Sequence, residues 1–207
     1  MKILTIFLSS INKYGIKFLF LIFLHEFLNI YRLRFSDYVV LDSVKKKYEP
    51  CVPTPYYCIS QIKNKISKKK YTFIDFGCGR GRVIDYFKKN TFFSKIIGVE
   101  INKKLQSQLL RLNNKKIKIY IKDVSNTNFL NFLLKKYSKN NLILYFYHPF
   151  AEDVLAKIIK KFLSKNKMEL KIVIMGEIYL RKKLLQKYKI KTEKIHKLLN
   201  IYTYKHH

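Results

Sequence analysis

Residues 71–82 read Y-T-F-I-D-F-G-C-G-R-G-R, and this stretch decides the fold. Thr72 to Phe76 is a short run of apolar, aromatic and β-branched residues interrupted by Asp75, which predicts a buried strand. Gly77, Gly79 and Gly81 follow at alternate positions. Cys78 lies among them, where a small and nearly apolar side chain suits a tight turn. Residues 80–89 read as a helix. Strand, glycine turn and helix in succession let a backbone approach a bound molecule closely.

Outward from this loop, strands and helices alternate. Ser94–Val99 predicts a second strand ending at Glu100, with a helix from Asn102 to Leu112. Ile117–Ile121 predicts a third strand ending near Asp123. Ser125 or Asn126 can cap the next helix, which carries Phe129, Phe132 and Leu133 on one side to Tyr137. Asn141–Tyr147 predicts a fourth strand, followed by His148-Pro149-Phe150. A helix from Glu152 to Leu163, a strand from Leu170 to Met175 and a helical stretch near Tyr179–Tyr188 complete the alternation. Residues 190–204 read as a closing pair of antiparallel strands. Upstream, Ile59, Ile62 and Ile66 share a face of a helix over 56–68. The fold class is therefore α/β, a mostly parallel sheet with helices on both faces.

In such a sheet, ligands lie at the carboxyl ends of the strands. Asp75, Glu100, Asp123 and His148-Pro149-Phe150 mark the ends of four successive strands. Glu100 can accept hydrogen bonds from a ribose diol, and Asp123 from the exocyclic amine of an adenine. The spacing G-x-G-x-G departs from the G-x-G-x-x-G dinucleotide fingerprint, and no triphosphate-binding loop is present. An acid before the glycines disfavours a pyrophosphate. It suits a ligand carrying an amine and a sulfonium centre.

The runs I-D-F-G-C-G-R-G-R at 74–82, I-G-V-E at 97–100 and K-D at 122–123 resemble the first three motifs of the class I S-adenosylmethionine-dependent methyltransferases. The resemblance covers about residues 50–204. It implies a Rossmann-like, seven-stranded sheet with a terminal antiparallel strand in a three-layer sandwich. It also implies S-adenosylmethionine as cofactor, with Gly77, Cys78, Gly79 and Gly81 around its methionine part. Asp75 would stand near the amine, Glu100 on the ribose and Asp123 on the adenine. Y-F-Y-H-P-F at 145–150 occupies the fourth motif, where relatives that methylate nitrogen carry Asn or Asp, two prolines and an aromatic. Pro149 and Phe150 fit this pattern. His148 replaces the Asn or Asp, and the second proline is missing. As a neutral imidazole His148 can accept a hydrogen bond or act as a base near neutral pH. His148, Pro149 and Phe150 are thus the catalytic candidates, with a leaning to a nitrogen acceptor on protein, nucleic acid or a small molecule. The alternatives are a non-catalytic S-adenosylmethionine-binding scaffold and an NAD-dependent oxidoreductase.

The remaining features bound these readings. A chain of 207 residues suits one domain, expected over 48–207 after an N-terminal helical extension at 1–47. The net charge of +30 favours polyanions such as RNA or DNA, although lysine is spread through nearly every segment. Cys51, Cys58 and Cys78 lack disulfide or zinc spacing, so no metal is expected and a cytoplasmic location is. The apolar block at 18–24, bounded by Lys17, His25 and Glu26, falls short of the roughly 20 apolar residues of a spanning helix. A helix packed on the domain is expected there, and peripheral membrane contact through residues 16–30 is the alternative. The proline-bearing segment 48–57, with Tyr56 and Tyr57, is read either as a cover over a ligand in the glycine loop or as a simple entry loop packing on the core. Of Arg80 and Arg82, one can reach the cofactor carboxylate or an anionic substrate, with the other left to solvent.

Overall fold

The computed structural model describes residues 12–32, 52–66, 69–147, 151–176, 182–196 and 198–205. Two helices come first, α1 (Ile16–Leu28) and α2 (Tyr56–Lys65). Strand β1 (Tyr71–Phe76) then leads through the glycine turn into α3 (Arg82–Phe87). Strand β2 (Phe93–Glu100) is followed by a 3-10 turn and a short α4 (Gln106–Leu110). The alternation continues with β3 (Ile117–Ile121), α5 (Thr127–Tyr137), β4 (Leu142–Tyr147), α6 (Glu152–Lys165) and β5 (Leu170–Met175). Helix α7 (Lys182–Lys187) precedes β6 (Lys191–His196) and β7 (Leu199–Tyr204).

The seven strands form one sheet in the order β3-β2-β1-β4-β5-β7-β6. Strands β1 to β5 are parallel, and β7 runs antiparallel to both β5 and β6. The expected sheet and its closing antiparallel pair are therefore present. Every residue of β1 is buried, so helices cover both faces of the strand. Strand alternation sends Ile74 and Phe76 into a core shared with α5 and α6. Tyr71 and Phe73 enter a second core shared with α2, α3 and the turn before α4.

Several predicted elements are shorter than expected. The helix expected over 102–112 is split because Asn102 caps a 3-10 turn, accepting from the Lys104 amide. Asn126, of the two candidate caps, accepts from the amides of Asn128 and Phe129 and opens α5. The expected apolar face of that helix is corrected. Leu130, Leu133, Leu134 and Tyr137 are its buried residues. Phe129 and Phe132 instead meet Tyr120 of β3, at ring centroid separations of 5.5 and 5.7 Å. The segment predicted near Tyr179–Tyr188 is helical from Lys182, and residues 177–181 lie outside the described part.

Candidate functional site

The sheet reverses its direction of growth at β1, which lies between β2 on one side and β4 on the other. Ligands of open α/β sheets bind at such a switch point, beyond the carboxyl ends of the strands. The glycine turn occupies this position. Gly77, Gly79 and Gly81 have φ of 78°, 52° and 81°. This is the left-handed region, which favours glycine over residues bearing a Cβ. Crowding adds a second constraint at Gly81, where a Cβ would stand 2.7 Å from Leu112 Cδ1. The turn is tied to its neighbour strand, because the amides of Gly77 and Cys78 both donate to the Val99 carbonyl. Cys78 is buried, and its Sγ lies beside the space over Gly98.

Asp75 and Glu100 flank the turn from adjacent strands. Asp75 pairs with Gly98 of β2 and with Tyr145 of β4. Only 2% of Asp75 is exposed, and its Oδ2 finds no hydrogen-bond partner among the described residues. Burial, reinforced by the nearby Glu100 carboxylate, pushes the Asp75 pKa well above the ordinary carboxyl value. Glu100 is also buried and also titrates high, mainly through desolvation. Its backbone donors pull the other way. Oε2 accepts from the Gly79 amide at 2.8 Å, and Oε1 from the amides of Ile101 and Asn102 at 2.8 Å each. A carboxylate offers about four acceptor positions, so Oε2 retains one. Glu100 thus clasps the middle glycine while keeping an acceptor for a ligand.

Asp123 stands after β3, half-buried, with Oδ1 accepting from the amide and hydroxyl of Ser125. It braces its own loop there, at the edge of the same strand-end cluster. His148, Pro149 and Phe150 lie outside the described residues. They follow directly on Tyr147, the last residue of β4.

The two arginines of the turn have different surroundings. Arg82, which the sequence would leave to solvent or aim at a ligand, is buried and engaged within the protein. Its Nη1 donates to both Glu26 carboxylate oxygens, at 3.2 and 3.0 Å, and to the Thr54 carbonyl at 3.2 Å. Its guanidinium also lies 4.6 Å from the Tyr56 ring centroid. Arg80 is half-buried and reaches Gln108 at 3.4 Å. Tyr56 and Tyr57 pack within the protein, as the entry-loop alternative has it. Tyr56 is buried against Arg82 and Tyr86, whereas Tyr57 takes the edges of Phe18 and His25 from α1.

Sequence reasoning missed two supports of the site. Glu26 comes from α1 and binds both Arg82 and the Tyr56 amide. Its signal was a carboxylate set inside an apolar run. The other is the buried bond of 2.8 Å between the Thr54 and Tyr145 hydroxyls, which ties the pre-strand segment to the strand beside Asp75. Nothing in sequence spacing indicates a contact across 91 residues.

Comparison with known proteins agrees with this architecture. No protein-family profile and no curated protein matches the chain. Solved structures do. An S-adenosylmethionine-dependent methyltransferase from Anabaena variabilis is 13% identical with a TM-score of 0.50, over 72% of this chain and 82% of that one. TrmK from M. capricolum, in complex with S-adenosyl-homocysteine, is 14% identical with a TM-score of 0.50, over 71% of this chain and 67% of that one. An uncharacterized protein from Listeria monocytogenes serotype 4b is 12% identical with a TM-score of 0.51, over 72% of this chain and 66% of that one. At these identities the likeness establishes the fold. The chain has the Rossmann-like fold of the class I S-adenosylmethionine-dependent methyltransferases.

Proposed function

We propose that the protein transfers a methyl group from S-adenosylmethionine to an acceptor. The observation that carries this reading is the pair of buried carboxylates, Asp75 and Glu100, on either side of the three-glycine turn. The residues fit the cofactor. Asp75 Oδ2 is a buried acceptor without a donor among the described residues, which an ammonium group would satisfy. Glu100 Oε2 can take a ribose hydroxyl, and Gly77, Gly79 and Gly81 present backbone without side chains. Asp123 would face the adenine side from the end of β3.

When bound, the cofactor supplies a methyl group on a positively charged sulfur, which an acceptor lone pair attacks in line. The protein has no covalent step to perform. Its work is to hold both reactants in register and to exclude water. His148 follows Tyr147, the last residue of β4, in sequence, and we assign it the task of accepting the acceptor's proton or a hydrogen bond from its nitrogen. Replacing His148 with Ala is expected to leave cofactor binding intact and lower turnover by roughly a hundredfold, within the usual range for a lost general base. Equal turnover would make the residue structural.

The net charge of +30 makes RNA or DNA the first acceptor class to test, ahead of protein and small molecules. Two measurements test the whole reading. Calorimetry with S-adenosylmethionine should show binding, and none at millimolar concentration would sink it. Labelled methyl transfer into fractionated lysate, followed by separate nuclease and protease digestion, identifies the acceptor.

A further inference from the structure

Helix α1 carries apolar side chains on two opposite faces, and the domain covers only one of them. Its inward face carries Phe18, which is buried, together with Ile22, His25 and Glu26. The opposite face carries Ile16, Phe20, Phe23 and Phe27, each between 61% and 69% exposed, and Ile30 continues beyond the helix end at 60%. Separations of four, three, four and three residues place these side chains on one stripe, within about 80° of arc at 100° per residue. An apolar stripe on each of two faces calls for an apolar partner on each.

We propose that this stripe seats the protein on an anionic lipid surface, with α1 lying in the plane of the interface. Charge complementarity selects the occupant. Residues 12–32 contain Lys13, Lys17 and Arg32 but one carboxylate, Glu26, and that carboxylate is turned into the domain against Arg82. Among the described residues of the helix, the outward side thus presents aromatic rings with the exposed Lys17 nearby and no acid. This is the pattern by which interfacial helices join hydrophobic insertion to attraction for anionic headgroups. The net charge of +30 adds long-range attraction of the same sign. Length excludes spanning, because the 13 residues of α1 extend about 20 Å against a hydrocarbon thickness of about 30 Å. Among the described residues no helix is long and apolar enough to cross a membrane. The inference does not depend on methyl transfer.

The sequence contains no tryptophan, so Phe23→Trp gives a single reporter at an exposed position. The full chain is mixed with vesicles of phosphatidylglycerol and phosphatidylcholine, the latter brominated in its acyl chains. Trp emission should shift to the blue and be quenched, and should stay quenched in high salt. Phe132→Trp, exposed on α5, should show neither effect. Phe20→Ser with Phe27→Ser should weaken vesicle binding by roughly tenfold or more, as expected for two large apolar groups. The proposal is overturned if the Phe23→Trp emission ignores the vesicles, or if binding is abolished by salt and untouched by the serine pair. It is also overturned if that Trp is already shielded without lipid. Sedimentation would then assign the stripe to a second copy, or to residues 1–11 or 33–51 of the same chain.

Discussion

Asp75 is the residue on which the proposed binding of S-adenosylmethionine turns. Its carboxyl holds its proton above the ordinary range, because burial and the Glu100 carboxylate both oppose ionisation. Only the ionised form attracts an ammonium group. Affinity for S-adenosylmethionine should therefore rise with pH through that raised value and level off above it, with proton release visible as a buffer-dependent enthalpy. Asp75→Asn should abolish the proton release and weaken binding by roughly tenfold to a hundredfold, the equivalent of one charge-assisted hydrogen bond. If the variant bound as tightly as the parent, Asp75 would have no ligand to meet. The same shift has a cost for the unliganded fold. The unfolded carboxyl ionises first, so Asp75 contributes less stability as pH climbs from the ordinary value toward the raised one.

At the scale of elements, α1 is fastened to the site through Glu26 and Arg82. The pair is poorly solvated, with the side chains 18% and 5% exposed. Removing one member leaves the other buried and uncompensated. Glu26→Ala is expected to destabilise the protein by about 3–5 kcal/mol in urea unfolding. Glu26→Gln, which retains a hydrogen-bonding group, should cost less. A loss below about 1 kcal/mol for Glu26→Ala would mean that the pair adds no more than a surface contact. This element also shows what sequence could reveal. The apolar run at 18–24 indicated a packed helix, and α1 does pack on α2 through Phe18, His25 and Tyr57. The destination of Arg82 was not legible. An arginine beside a glycine turn reads locally as a ligand group, whereas its partner lies 56 residues earlier. Strands were read almost to the residue because apolar runs with strand-end acids are local signals. Helix α5 was misjudged because its two phenylalanines follow Tyr120 on the surface rather than the 3.6-residue stripe of its leucines.

For the whole molecule, the excess of cations governs association more than folding. Binding to RNA or DNA should fall steeply as salt is raised from 50 to 200 mM, by roughly a thousandfold if about six phosphates are neutralised. A filter-binding titration gives the slope, and a flat response would remove polyanions from the acceptor candidates. The scattered lysines gave the sign of this field from sequence alone. The two supports that fix the site's surroundings, Glu26–Arg82 and Thr54–Tyr145, belong to tertiary closure and left little trace in it.

The order of the sheet also bears on biosynthesis. Strand β7 (Leu199–Tyr204) is the last in sequence, yet it lies between β5 and β6. On a ribosome, β1 to β5 can assemble first, but L-K-I-V-I-M of β5 then stands as an unpaired edge. Such an edge is a template for pairing with another nascent chain. It stays open until β7 emerges and closes it, and only then can β6 join. Slow docking of β7 would thus prolong the interval in which newly made chains can aggregate.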